Sequence, residues 1–92
     1  MVEVRAEATG DEWLCAVSVN HAGHRTRHSV TVRPADIERW ANGSKRADVE
    51  DLVARSFDFL LEREPPSAIL ARFDLSVIES YFPEYDSAFR PE

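Results

Sequence analysis

The chain has 92 residues, of which 43% are hydrophobic and 30% are charged. This composition argues against an intrinsically disordered chain and predicts one small domain spanning residues 1–92. The net charge of −6 disfavours nucleic acid as a general partner. The single cysteine, Cys15, excludes an internal disulfide, and no stretch resembles a signal peptide or a membrane span. We therefore expect a cytoplasmic protein that makes no membrane contact.

The first third of the chain alternates between apolar and polar residues, which predicts strands with one buried and one wet face. Residues 2–9 and 13–20 form the first two strands, separated by the turn residues Gly10 and Asp11. A third strand covers residues 24–33, with Val30 and Val32 on its apolar side. Because the connections are short, residues 1–33 are predicted to form an antiparallel three-stranded meander.

Residues 34–83 are predicted to be helical. A short helix begins at Pro34 and ends at Gly43, and a longer helix begins near Asp48, which we expect to be its N-cap. Apolar residues of the longer helix recur at the helical period until Pro65 and Pro66 stop it. Two short helices are expected over residues 68–73 and 75–82, followed by a tail over residues 84–92. The predicted fold is α+β, with the meander followed by three to four helices packed on one face.

The charges of the chain are unevenly distributed. Residues 21–46 carry six Lys or Arg against two acids, whereas residues 47–92 carry four Arg against eleven acids. Four residues of this basic region form a candidate site for an anionic or protein partner: Arg25, Arg27, Thr31 and Arg33. The alternative is that the strand arginines pair with Glu3 and Glu7 across the sheet. The sequence leaves both interpretations open.

Neither a metal site nor a catalytic site is predicted. His21, His24 and His28 lie near Cys15 in sequence, but their spacing does not match a structural zinc pattern. Cys15 is placed on the apolar face of its strand, where a free cysteine is typically a small core residue. The three glycines are too far apart for a phosphate-binding loop. We therefore expect no cofactor, no metal, no catalytic residue and no enzymatic activity.

The second half of the chain is rich in aromatic residues. Most are expected to be core residues, but an exposed group of them would mark an interface with a protein partner or a second copy. The candidate interface residues are Phe59, Tyr81, Phe82 and Tyr85.

Residues 28–63 have the order strand, short helix, glycine-containing turn and longer amphipathic helix. This order resembles the ribbon-helix-helix family, and the strand-rich segment before it is similar to antitoxins of the HicB type. The resemblance implies a dimeric DNA-binding protein whose Ser29, Thr31 and Arg33 face the bases. The later part of the chain resembles small bacterial proteins without an assigned activity.

Two functions are therefore predicted. The first is a non-enzymatic interaction module that binds another protein or itself. The alternative is a DNA-binding regulator or antitoxin of the ribbon-helix-helix type that binds DNA through Arg25, Arg27, Thr31 and Arg33.

Overall fold

The computed structural model describes residues 1–91 and has an α+β fold. Its sheet contains four strands in the order β1-β2-β3-β4. The strands are β1 (Val2–Thr9), β2 (Glu12–His21), β3 (His24–Val32) and β4 (Arg72–Asp74). The helices are α1 (Pro34–Trp40), α2 (Arg46–Leu61), α3 (Val77–Tyr81) and α4 (Glu84–Phe89), and a 3-10 turn covers Pro66–Ala68.

The antiparallel meander predicted for the first three strands is confirmed. β2 lies between β1 and β3 and pairs with both, with Ala16 opposite Arg5 on one side and Ser29 on the other. The turn between β2 and β3 consists of Ala22 and Gly23, both at positive φ (53° and 81°). Two successive residues at positive φ match the right-handed twist of a hairpin, which favours this two-residue connection.

The helix predicted over residues 68–73 is wrong, because the end of this segment forms β4. β4 runs parallel to β3, and the backbone N–H of Ser29 donates to the carbonyl of Ala71. The Thr31 carbonyl accepts from the N–H of Leu75. The free edge of β3 thus offers the segment hydrogen bonds that outweigh its local helical pattern, as tertiary context commonly does.

One face of the sheet packs against α2, whose apolar stripe follows the helical period. Phe57 is fully buried there, 5.2 Å from the ring of His28 and 6.1 Å from that of Phe73 between ring centroids. The helix begins at Arg46, earlier than predicted. Asp48 is its third residue, and the Asp48 carboxylate accepts a hydrogen bond from the backbone N–H of Lys45. Asp48 therefore stabilises the N-terminus without being the N-cap.

The region predicted as a tail contains α4, which is anchored to the core. Tyr85 is fully buried, and its hydroxyl lies 2.7 Å from the hydroxyl of Ser56 on α2. The indole N–H of Trp40 donates to the Asp86 carboxylate at 2.9 Å. Hydrogen bonds to Arg90 and Trp40 lower the pKa of Asp86. These contacts connect α4 to α1 and α2 and hold the end of the chain against the domain.

Candidate functional site: the open face of the sheet

The two faces of the sheet have different surroundings. Side chains of β2 alternate, so that Cys15, Val17 and Val19 are buried beneath the helices whereas Leu14 and Ala16 are exposed on the other side. We call the second side the open face. By strand register it carries Glu3, Arg5, Glu7, Thr9, Glu12, Leu14, Ala16, Ser18, Asn20, Arg25, Arg27, Ser29, Thr31, Arg72 and Asp74.

The arginines of the open face lack acidic partners. Among residues 1–91, five arginines lie within ion-pairing distance of a carboxylate: Arg33, Arg39, Arg55, Arg63 and Arg90. The other five do not, and four of these lie on the open face: Arg5, Arg25, Arg27 and Arg72. The cross-strand pairing with Glu3 and Glu7 that the sequence left open is therefore absent from this arrangement. Four guanidinium groups remain available to a partner.

A groove of about 660 Å³ runs across the centre of this face. Its floor consists of small side chains, because Ala16, Ser18 and Ser29 project there. Arg5 stands on one side of the floor, and Arg27 and Arg72 stand on the other. Glu3 is the one acidic residue of the lining, so three positive charges face one negative charge. Guanidinium groups bind carboxylate and phosphate oxygens bidentately, which makes the groove suited to an anionic group.

The four residues predicted as the binding site separate into two groups. Arg25, Arg27 and Thr31 lie on the open face, as the alternation of the strand implies. Arg33 follows β3 and pairs with Glu12 at 3.5 Å and with Asp74 at 3.3 Å. Arg33 therefore ties the end of the meander to β4. Arg5 and Arg72 are not among the residues predicted from the sequence, because Arg72 lies in a segment with a helical pattern and Arg5 lies outside the basic region.

The histidines and Cys15 do not converge. His21 and His24 are exposed at the hairpin turn, whereas Cys15 and His28 are buried on the covered face. Nδ1 of His28 donates to the Leu70 carbonyl at 2.7 Å, and Nε2 forms a hydrogen bond with the hydroxyl of Thr26 at 2.9 Å. No cluster of three or more residues suited to metal binding is found in the described part of the chain. Burial, with a smaller contribution from Glu50, raises the pKa of the Cys15 thiol to about 12.

The predicted aromatic interface is corrected in part. Phe59 and Tyr85 are buried and pack edge to face with ring centroids 5.4 Å apart, so neither is available to a partner. Tyr81 is 68% exposed, and with the half-buried Phe82 it lines a second, apolar groove of about 400 Å³. This groove lies beside β4 and α3 and is separate from the open face.

The outer edge of β1 is partly closed. Met1 and Asn20 exchange backbone hydrogen bonds. Because hydrogen-bonded pairs alternate along an antiparallel ladder, the odd-numbered residues of β1 bond to β2 and the N–H groups of its even-numbered residues point away from β2. One of these, the N–H of Ala6, donates to the Glu50 carboxylate of α2 at 2.9 Å. A charged side chain at this position opposes the addition of another strand. The open face is therefore a better docking surface than this edge.

Within residues 1–91, the helices are too short or too polar for any of them to cross a membrane. No protein-family model matches the chain, and no curated protein or solved structure is significantly similar to it. The geometry of the open face is thus the observation from which a function has to be inferred.

Proposed function

We propose that this protein is a non-enzymatic interaction module whose open face binds an acidic segment of a protein partner. The observation that carries the proposal is the concentration of arginines without acidic partners on one sheet face. Unpaired charges on a rigid strand scaffold steer an oppositely charged partner and fix its orientation. Interfaces are also enriched in arginine compared with the rest of a protein surface.

A protein partner fits this face better than a nucleic acid. The whole chain carries −6, so a long polyanion would be repelled by the acidic surface around the basic groove. None of the open-face side chains is aromatic, which removes the stacking contacts that hold single-stranded bases. A short acidic segment would contact the basic groove and avoid most of the surrounding acids.

The ribbon-helix-helix alternative requires a strand that pairs with the same strand of a second chain. Here β3 pairs with β2 along its length and with β4 at Ser29, Val30 and Thr31. Because both edges of β3 are occupied over these residues, the base-facing ribbon of that family would need β4 to leave the sheet. We therefore favour the protein-binding module over the DNA-binding regulator.

The proposal is tested by fluorescence anisotropy at low salt with two labelled probes, a short poly-L-glutamate peptide that fits within the groove and a DNA duplex that extends beyond it. We expect poly-L-glutamate to bind and the affinity to fall as salt rises, because the contacts are charge pairs on a wet surface. The duplex is expected to bind more weakly. The double variant Arg27→Gln, Arg72→Gln should lose most of the binding, by about ten-fold or more.

The matched control is the double variant Lys45→Gln, Arg46→Gln. It removes the same amount of charge from two basic residues that also lack an acidic partner in residues 1–91 but lie at the start of α2. We expect this variant to bind nearly as well as the parent protein. Equal losses in the two double variants, or tighter binding of the duplex than of poly-L-glutamate, would contradict the proposal.

A further inference from the structure

We propose that the acidic segment bound by the open face is an amphipathic α-helix lying along β2. This inference rests on the proposed function and adds the conformation and placement of the partner. Its basis is the shape of the groove, which has small residues in the middle and arginines on both sides.

The width of the groove matches a helix. The floor follows β2 and includes Ser29 of β3. Its borders belong to β1 and β3 at Ser18, and to β1 and β4 at Ala16. Two strand spacings separate β1 from β3 and three separate β1 from β4, distances of about 10 Å and about 14 Å. A helix with its side chains is about 10–12 Å across. An extended segment occupies about 5 Å, one strand spacing, and would span at most half of either width.

The charges place most acidic residues of the helix on the flank that faces β3 and β4. Arg5 borders the floor on one side, and Arg27 and Arg72 border it on the other. Because Glu3 and Glu7 flank Arg5 on β1, a segment held here needs most of its carboxylates on the side of Arg27 and Arg72, and one that reaches Arg5. The side chains facing Ala16 and Ser18 have to be small, because the backbone of the helix lies closest to the sheet there.

One end of the floor adds an apolar contact. Leu14 is 45% exposed on the open face, opposite Glu7 on β1 and Thr31 on β3. It lies four residues from Ser18 along β2, a distance of about 13 Å, which corresponds to about nine residues of a helix. The partner is therefore expected to present one apolar side chain to Leu14, about one turn from its small residue at Ala16 and about two and a half turns from that at Ser18.

Three synthetic peptides of one length and one net charge test the inference, with binding measured by fluorescence anisotropy. The first is a stapled helix with acidic flanks and a stripe of alanines ending in leucine. The second has the same order but two central prolines in place of alanines, which prevent a helix. The third is a stapled helix in which the acidic residues are distributed over every face of the helix. We expect the first peptide to bind about ten-fold more tightly than either of the others.

A variant of the protein tests the placement. Ala16→Trp fills the floor without changing any charge, and Ala16 is exposed, so the sheet accommodates the new side chain. We expect this variant to lose about ten-fold in affinity for the first peptide while its affinity for flexible poly-L-glutamate changes less than about two-fold. Ser18→Trp serves as the second variant if Ala16→Trp does not fold, as judged by circular dichroism.

The outcomes separate this inference from the proposed function. Equal binding of the first two peptides, or an unchanged affinity of Ala16→Trp for the stapled helix, would overturn the helix and leave the acidic partner standing. If the parent protein bound neither the three peptides nor poly-L-glutamate, both the inference and the proposed function would be overturned. Formation of a dimer without peptide, detected by sedimentation equilibrium and abolished by Ala16→Trp, would assign the groove to a second copy and also overturn the inference.

Discussion

The two faces of one sheet in this protein differ in almost every property. On the covered face, Cys15, Val17, Val19, Val30 and Val32 are at most 2% exposed and pack beneath the helices. On the open face the same strands carry arginines, serines and Ala16, and no helix of residues 1–91 lies over them. The difference shows that the covered face provides stability, whereas the open face contributes little to the fold and is free to bind.

The largest effect is expected for Phe57→Ala on the covered face. Phe57 is fully buried between the rings of His28 and Phe73. Its truncation leaves a cavity and should lower the free energy of unfolding by about 3–5 kcal/mol. Urea denaturation followed by tryptophan fluorescence measures this loss. A loss below about 1 kcal/mol would mean that α2 does not pack on the sheet as described.

Alkaline pH should destabilise the covered face through Cys15. The folded-state pKa of this thiol is raised from 9.0 to about 12, mainly by burial and secondarily by Glu50. Because the folded-state pKa is raised, the stabilisation that the protonated thiol contributes to the folded state is fully present below pH 9. It is lost as the pH rises from about 9 to about 12. The loss approaches about 1.4 kcal/mol per pH unit. Urea titrations over this range should show a shallower decline for Cys15→Ala; parallel curves would contradict the burial of the thiol.

Two neighbouring residues of β2 allow a matched comparison of the faces. Val17→Thr introduces a hydroxyl beneath the helices, opposite His28, whose two ring nitrogens are already hydrogen-bonded to Leu70 and Thr26. It should lower stability by about 1–3 kcal/mol. Ala16→Thr introduces the same side chain on the open face and should change stability by less than about 0.5 kcal/mol. Thermal unfolding of both variants measures the contrast. Similar losses in the two would show that the faces are not distinct.

The smallest effect on stability is expected for the arginines of the open face. Because Arg27 and Arg72 have no ion pair within residues 1–91, their replacement by glutamine should shift the free energy of unfolding by less than about 0.5 kcal/mol. Urea denaturation of the double variant checks this expectation. A large loss would indicate a structural role for these side chains, and the loss of peptide binding would then no longer identify a binding surface.

Much of the fold could be predicted from local patterns. The alternation in residues 2–32 and the turn residues Gly10 and Gly23 determined the meander, and the apolar period of α2 determined the helix. The segment that forms β4 could not be predicted this way. Its assignment depends on hydrogen bonds to Ser29 and Thr31, which are about forty residues away in sequence and leave no local pattern.

The candidate site was predicted in part for the same reason. Arg25 and Arg27 followed from the alternation of β3, because a strand that buries Val30 exposes its odd-numbered residues. Arg72 joins them only through the parallel pairing of β4, and Arg5 only through the register of β1 with β2. The burial of Tyr85 could likewise not be predicted from the local sequence, because its hydrogen-bond partner Ser56 lies on a helix distant in sequence.

The most direct test of the central claim is a titration of the ¹⁵N-labelled protein with poly-L-glutamate, followed through the side-chain Nε–Hε resonances of the arginines. The claim is that the arginines without acidic partners on the open face are the binding surface. It predicts that Arg5, Arg27 and Arg72 shift together while the paired Arg39 and Arg63 stay unchanged. Shifts confined to the paired arginines, or equal shifts at all of them, would contradict it.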